Sequence, residues 1–356
     1  MGLKKILIHI EILIVLTFLV GCSYLNLFGS IEIEESFDEI TVRMIQIDRV
    51  VGHTQWISPT QLVYVENKYP PQGRIWSVTI DGEDLGMLPI PAETTPGCQD
   101  TGLYKPLPLS DGRIAYLRRN VFCPPEVSGL DYSNDFYELL VWDPLSETVS
   151  ELPGINFSEV QALVYDIAPD LSKGIGSTGS RIEDQLYWME PGNSTPIELG
   201  LARASNPKWS PGGKYIAFFG NYNIPGSPGP RWSIHPLDLM IMPADCAPNC
   251  IDEIQTLIRG ISDVNGISWS PDGKWLAFGG ELGAYDKGIW LYNLETKEIK
   301  LIIQGFYRAP RWSPDGRHIA VRSPDPERVA DFDTTEIFNR YWQIFLLDVS
   351  KIYFGE

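Results

Sequence analysis

The sequence is short of histidine and of basic charge. Four His occur in 356 residues, at His9, His53, His235 and His318, and 28 Lys and Arg face 46 Asp and Glu. The formal net charge is −18. Loss of residues 1–21, with Lys4, Lys5 and Glu11, would leave the balance slightly more acidic still. Such a surface repels a phosphate backbone and anionic headgroups, so nucleic acid is excluded as a partner. The acidity itself reads as solubility outside the cell. The sequence holds no G-x-S-x-G elbow, H-E-x-x-H or P-loop, which removes the commonest hydrolase, metalloprotease and nucleotide signatures. Gly174-Ile175-Gly176-Ser177-Thr178-Gly179 spells G-x-G-x-x-G. It falls on an expected strand rather than between a strand and a helix, so it is a coincidence of composition. Carboxylates are numerous, but no spacing singles out a catalytic pair. No cofactor is expected.

What is present is aromatic and turn-rich: Trp 11, Tyr 16, Phe 14, Gly 32 and Pro 28. A hydrophobic fraction of 44% is enough for a packed core. This mixture favours short strands with frequent reversals, an all-β chain.

Internal repetition sets the architecture. Three segments superimpose closely: Pro207-Lys208-Trp209-Ser210-Pro211-Gly212-Gly213, Ile267-Ser268-Trp269-Ser270-Pro271-Asp272-Gly273 and Pro310-Arg311-Trp312-Ser313-Pro314-Asp315-Gly316. Each continues into an Ile-Ala-Phe type strand. Degraded copies begin at Gln55-Trp56-Ile57-Ser58-Pro59, Pro108-Leu109-Ser110-Asp111-Gly112 and Ile167-Ala168-Pro169-Asp170. An alternating apolar segment follows each copy, at 75–80, 138–142, 185–189, 237–242, 288–292 and 342–347. Ser-Pro-Asp-Gly is a tight turn, with Pro fixing φ and Gly accepting positive φ. A lone four-stranded unit cannot bury both of its faces, so the copies must pack on one another.

The motif resembles the WD40-like (PD40), or TolB-type, β-propeller repeat. The resemblance covers residues 40–356 and implies an all-β, six-bladed propeller with four-stranded blades. The strand 40–47 is expected to close the ring by pairing with 342–347. The domain reading is 1–21, 22–38 and 39–356, the last being the propeller. The resemblance implies a docking role but not membership of a Tol-Pal system, since the amino-terminal domain typical of TolB does not precede the repeats.

The start of the chain is read as an address. A basic start and an apolar run from Ile12 to Val20 lead into Leu19-Val20-Gly21-Cys22. The run of about nine residues suits a signal peptide and is too short for a membrane span of about 20. The tetrapeptide resembles the lipobox of bacterial lipoproteins, which implies acylation of Cys22, membrane attachment through that lipid, and an extracytoplasmic location at the cell surface or in the periplasm. Residues 22–38 then form an acidic tether.

Setting Cys22 aside leaves Cys98, Cys123, Cys246 and Cys250, an even number that suits an oxidising compartment. Three connectivities exist, and proximity in the chain favours Cys98–Cys123 and Cys246–Cys250. A metal site is the competing reading, but no His-x-His or paired C-x-x-C spacing supports it.

If the strands of a blade are lettered A to D from the axis outward, A–B and C–D connections share one face, and B–C and D–A connections share the other. The A–B turns are tight, so their face is plain. The long insertions 89–106, 119–136, 220–236 and 323–341 fall on the opposite face, where recognition usually sits. Tyr104 and Trp232 are candidate contacts there, against the blander reading that such aromatics pin down their own loops. Gln55, Asp166, Lys208, Ser268 and Arg311 occupy one equivalent position beside the axis. Their variety argues against a symmetric metal ring and suits a polar channel mouth. Trp209, Trp269 and Trp312 are read as core between blades, and His318 as structural. The expected function is non-enzymatic binding of a protein or cell-wall component. The rivals are an envelope enzyme acting on glycans or peptides, and a ligand-sensing lipoprotein.

Overall fold

A computed structural model describes residues 33–35, 40–66, 73–91, 100–123, 134–152, 155, 163–177, 185–190, 195–202, 204–220, 236–246, 250–283, 287–325 and 342–355. Cys22, Cys98 and Trp232 lie outside the described residues, as do most of the signal, tether and long-loop segments.

After β1 (Ile33–Glu35) and β2 (Thr41–Ile45), the chain repeats one antiparallel pattern. The strands β3 (Val51–Ser58), β4 (Gln61–Glu66), β5 (Ile75–Thr79) and β6 (Asp84–Met87) pair in chain order. So do β7 (Asp100–Pro108), β8 (Ile114–Cys123), β9 (Asn134–Asp143) and β10 (Thr148–Glu151). The pattern recurs in β11 (Leu163–Ile167), β12 (Gly174–Ser177), β13 (Gln185–Met189) and β14 (Ile197–Ala202). It recurs again in β15 (Ser205–Trp209), β16 (Tyr215–Gly220), β17 (Leu237–Pro243) and β18 (Gln255–Ser262), and in β19 (Ile267–Trp269), β20 (Trp275–Leu282), β21 (Gly288–Asn293) and β22 (Ile299–Gln304). Two residue pairs, Ile261 with Leu282 and Ser262 with Glu281, tie β18 to β20.

The chain ends with β23 (Arg308–Trp312), β24 (His318–Pro324), β25 (Trp342–Asp348) and the short helix α1 (Ser350–Phe354). The outer strand of that last sheet is β2, antiparallel to β25 from Thr41 opposite Asp348 to Ile45 opposite Ile344. β1, inside the segment read as a tether, runs parallel to β22, with Ile33 opposite Ile299.

The turn chemistry explains the hairpins. In the β19–β20 turn Ser270 Oγ donates to Asp272 Oδ1 at 2.6 Å and accepts the Trp275 N–H at 2.9 Å. Gly273 takes φ +72, the left-handed region that a side chain disfavours. Ser313, Asp315 and Gly316 repeat this between β23 and β24. Between β11 and β12 the glycine is replaced by Leu171, which nevertheless adopts φ +61. Strands β7, β8 and β9 are longer than the repeat required, so 100–106, 119–123 and 134–136 of the expected insertions are strand. Gly174–Ser177 is a buried strand paired on both sides, with no helix after it.

Each apolar cluster joins one four-stranded sheet to the next. Val63, Ile75, Ile114 and Trp142 link the β3 and β7 sheets; Leu107, Ala115, Ile167 and Met189 link the β7 and β11 sheets. Trp188 and Trp209 meet between the β11 and β15 sheets, their ring centroids 5.3 Å apart. Phe219, Ile241, Trp269 and Trp290 join β15 to β19, and Leu291, Trp312 and Ile319 join β19 to β23. Ile45, Ile47, Trp56, Ala320 and Ile344 join the last sheet to the first. His318 packs here, stacked at 6.3 Å on Trp56. The arrangement is a propeller-like array of four-stranded blades, each burying both faces against its neighbours.

Between β17 and β18 the sulfur atoms of Cys246 and Cys250 lie at disulfide distance, with Cα atoms 4.8 Å apart. The Cys98–Cys123 expectation falls outside the described residues, although the backbone of Cys123 ends β8.

Gln343 is the polar link between the chain ends. It is 2% exposed, accepts the Ile47 N–H at 2.9 Å and donates to Ile47 O at 3.0 Å. Gln343→Leu would strand both backbone groups at a buried residue, for an expected loss of roughly 2 to 4 kcal/mol in urea unfolding. A loss below about 0.5 kcal/mol would contradict this role for the side chain.

Candidate functional site

Strand register identifies the axis-facing positions. Gln55 stands opposite Val63, Leu107 opposite Ala115 and Asp166 opposite Ile175. Lys208, Ser268 and Arg311 stand opposite Ala217, Ala277 and Ala320. All six line one cavity of about 310 Å3 that opens toward the turns at Ser110, Pro169 and Pro211. The five axis positions expected from the repeat are thus brought together, and Leu107 completes them. Tyr104 is placed elsewhere: it is half-buried against the clusters on both sides of the β7 sheet, with the Arg119 guanidinium 5.9 Å from its ring.

The axis residues are bonded into the neighbouring sheet. Asp166 accepts from Lys208 Nζ at 3.0 Å and from the Trp209 backbone N–H at 2.8 Å. Ser268 Oγ accepts the Trp312 backbone N–H at 2.9 Å. The Trp269 indole donates to Lys208 O at 3.0 Å, and the Trp56 indole to Arg311 O at 2.8 Å. The tryptophans are core, as expected, and their polar atoms lock one inner strand to the next.

A second cavity, of about 180 Å3, lies at the other end of the axis, toward the starts of the inner strands. It is lined by His53, Lys105, Asn206, Asn265 and Arg322 together with Gln55, Lys208 and Arg311. The inner strands bulge here: register shifts between Tyr104 and Leu107, Ser205 and Lys208, and Arg308 and Arg311. Two residues before the axis position, Lys105, Asn206 and Ala309 have φ of +45, +54 and +53. Left-handed backbone at three non-glycine residues costs of order 1 kcal/mol or more each and turns the strands sharply at the rim. At the equivalent Gly266 (φ +133) a Cβ would sit 3.1 Å from Ala309 Cα and 3.7 Å from Arg311 Nη1, so this approach needs glycine.

The rim is cationic in an acidic chain. Burial holds Arg311 down at about 10, opposed by Asp166. Burial likewise holds Arg322 at about 10, with Arg311 and Arg308 adding repulsion. Lys208 is lowered by burial and Arg311, against the pull of Asp166. His53 is held well below 6.5, first by burial and then by Arg322, Lys105, Arg311 and Lys208. His53, Lys208, Arg311 and Arg322 are each half-buried. Among the described residues, no three His, Cys, Asp or Glu side chains cluster as metal ligands.

His53, Lys105, Asn206 and Arg322 were not among the expected site residues. The first three lie two residues before the axis positions Gln55, Leu107 and Lys208, but register shifts at these places break the alternation that would have revealed them. Arg322 carried no signal, because it belongs to the second strand, opposite Arg308.

Four-stranded sheets around a polar axial channel define a β-propeller. No family model matches the chain. Over 70 residues it is 34% identical to the Tol-Pal system protein TolB of Alcanivorax borkumensis, a match covering 19% of this chain and 16% of that protein. The TolB structure from Acinetobacter baumannii superposes with a TM-score of 0.53 at 12% identity, over 81% of this chain and 63% of that one. The chain therefore spans less than two thirds of the length of either TolB. The calcium-binding protein regucalcin from Agrobacterium tumefaciens gives a TM-score of 0.50 at 11% identity, over 86% and 93% of the two chains. The fold is a TolB-like β-propeller.

The depressed His53 sets a pH dependence. The unfolded chain takes up the imidazole proton near 6.5, the folded chain only well below it. Between those values the unfolded state binds more protons, so stability falls as pH drops, by at most about 1.4 kcal/mol per pH unit. Unfolding curves measured below pH 6.5 are expected to flatten by that contribution in His53→Gln. Parallel curves for the two proteins would show that His53 does not carry it.

Proposed function

We propose that the chain is a lipid-anchored extracytoplasmic scaffold, a ring of six blades closed by β2, that binds a protein or cell-wall partner on its loop-bearing face. The β2–β25 pairing, the Gln343 link and the cluster containing Ile45, Trp56 and Ile344 support closure. The observation that carries binding over catalysis is the state of the channel's acid. Among the described residues lining the channel, Asp166 is the single carboxylate, and it is already engaged by Lys208 and Trp209. A two-carboxylate hydrolysis needs a second acid beside it. The TolB relative is named for the Tol-Pal system, which favours a docking role in the envelope but not that system's own partners. The fold alone selects no partner.

Replacing residues 124–133 with a short Gly-Ser connector keeps β8 and β9 and removes one of the insertions expected on that face. Envelope extracts are expected to yield a partner with the parent chain that is lost with this variant. Hydrolysis of a cell-wall glycan or peptide, with no partner enriched, would favour the enzyme reading instead. Metabolic labelling with an alkyne fatty acid is expected to mark the chain and to vanish in Cys22→Ser; labelling that persists would remove the anchor.

A further inference from the structure

We propose that the cationic rim of the axial channel is a binding site for a small oxyanion, a carboxylate or phosphate held between the guanidinium groups of Arg311 and Arg322. The two arginines line the same 180 Å3 cavity. Arg311 Nη1 donates to the carbonyls of Pro310 at 2.8 Å and Ile267 at 3.5 Å, which fixes one side of its fork. Its Nε is buried and has no hydrogen-bond partner. Arg322 is less satisfied still. Its Nε is also buried without a partner, and it pairs with no carboxylate of the described residues. Its guanidinium lies 5.8 Å from the ring of Trp342.

Arg308 stands opposite Arg322 in the ladder and spends its charge on Asp263, at 3.1 Å, which also takes Lys287 at 3.0 Å. Acid is thus supplied to the outer guanidinium and withheld from the inner one. A chain with 46 acidic residues has no shortage of carboxylates to place there. Buried guanidinium groups that no protein carboxylate neutralises are costly, and an anion in the adjoining cavity would offset their charge. Guanidinium forks match planar and tetrahedral oxyanions, which they grip through paired hydrogen bonds. Asp166 lines the 310 Å3 cavity and not the 180 Å3 one, so its carboxylate disfavours an anion at that end and the ligand is bound at the rim. The site owes nothing to the loop-face partner and stands even if that docking reading fails.

The test is calorimetric titration of the full chain with inorganic phosphate, sulfate, citrate and acetate, at ionic strength matched with sodium chloride. Saturable binding of at least one of these is expected, and affinity is expected to drop about tenfold or more in Arg322→Gln. Arg322→Gln removes an uncompensated charge, so its melting temperature should match or exceed that of the parent and serve as the folding control. Arg317→Gln, an exposed arginine beside Asp315 on the turn side, should bind like the parent. Tighter binding of phosphate and sulfate assigns a phosphate-bearing ligand, and tighter binding of citrate a carboxylate. Failure of all four anions to bind saturably, or unchanged affinity in folded Arg322→Gln, overturns the proposal.

Discussion

The structure turns on a set of hydrogen bonds that cross from one inner strand to the next. Asp166 holds the Trp209 amide, Ser268 holds the Trp312 amide, the Trp269 indole holds the Lys208 carbonyl, and the Trp56 indole holds the Arg311 carbonyl. Apolar packing alone is tolerant of sliding and tilt, whereas these bonds fix the register of one sheet against its neighbour. Each joins a position facing the axis to a tryptophan buried between sheets. The same residues that shape the channel therefore also set the spacing of the blades, and the variety at the axis has a structural component. Asp166 and Ser268 are acceptors for a neighbour before they are anything to a ligand.

That coupling frames the electrostatics. The chain carries a formal net charge of −18, while the rim gathers Lys208, Arg311 and Arg322 beside His53. Bulges at Lys105, Asn206 and Ala309 bend the inner strands where these groups converge. Strained backbone and the unpartnered, buried Nε atoms of Arg311 and Arg322 at one end of a channel are features that folding by itself does not favour. The opposite end is built from tight Ser-Pro-Asp-Gly type turns whose polar atoms are satisfied locally. The two ends of the axis thus differ in kind, one built from tight turns and the other lined by half-buried cations.

Much of the scaffold was legible in the sequence because the repeat couples local and distant constraints. Trp209, Trp269 and Trp312, each followed by Ser-Pro, announce an inner strand, a turn and a second strand, and the apolar segments starting at Ile75, Gln185, Leu237, Gly288 and Trp342 are the third strands. Gln55, Asp166, Lys208, Ser268 and Arg311 were legible as one ring because each immediately precedes the tryptophan or its substitute. The rest was hidden for physical reasons. Leu171 takes a glycine's conformation without a glycine's signature. Strand β7, with Gly102, Pro106 and Pro108, has the turn-rich composition of a loop. Arg322 reaches the rim from a second strand, beside a bulge that no local pattern encodes. Tyr104, chosen as a loop aromatic, is instead part of the packing between sheets.

The proposed ring is closed by β2, which completes the last sheet. Native-state hydrogen exchange reads it directly. The amides of Thr41–Ile45 should be protected to the same degree as those of Trp342–Asp348 and should open with them, because the two strands share one ladder. Exchange of Thr41–Ile45 at the rate of a free peptide, while Trp342–Asp348 stays protected, would contradict closure.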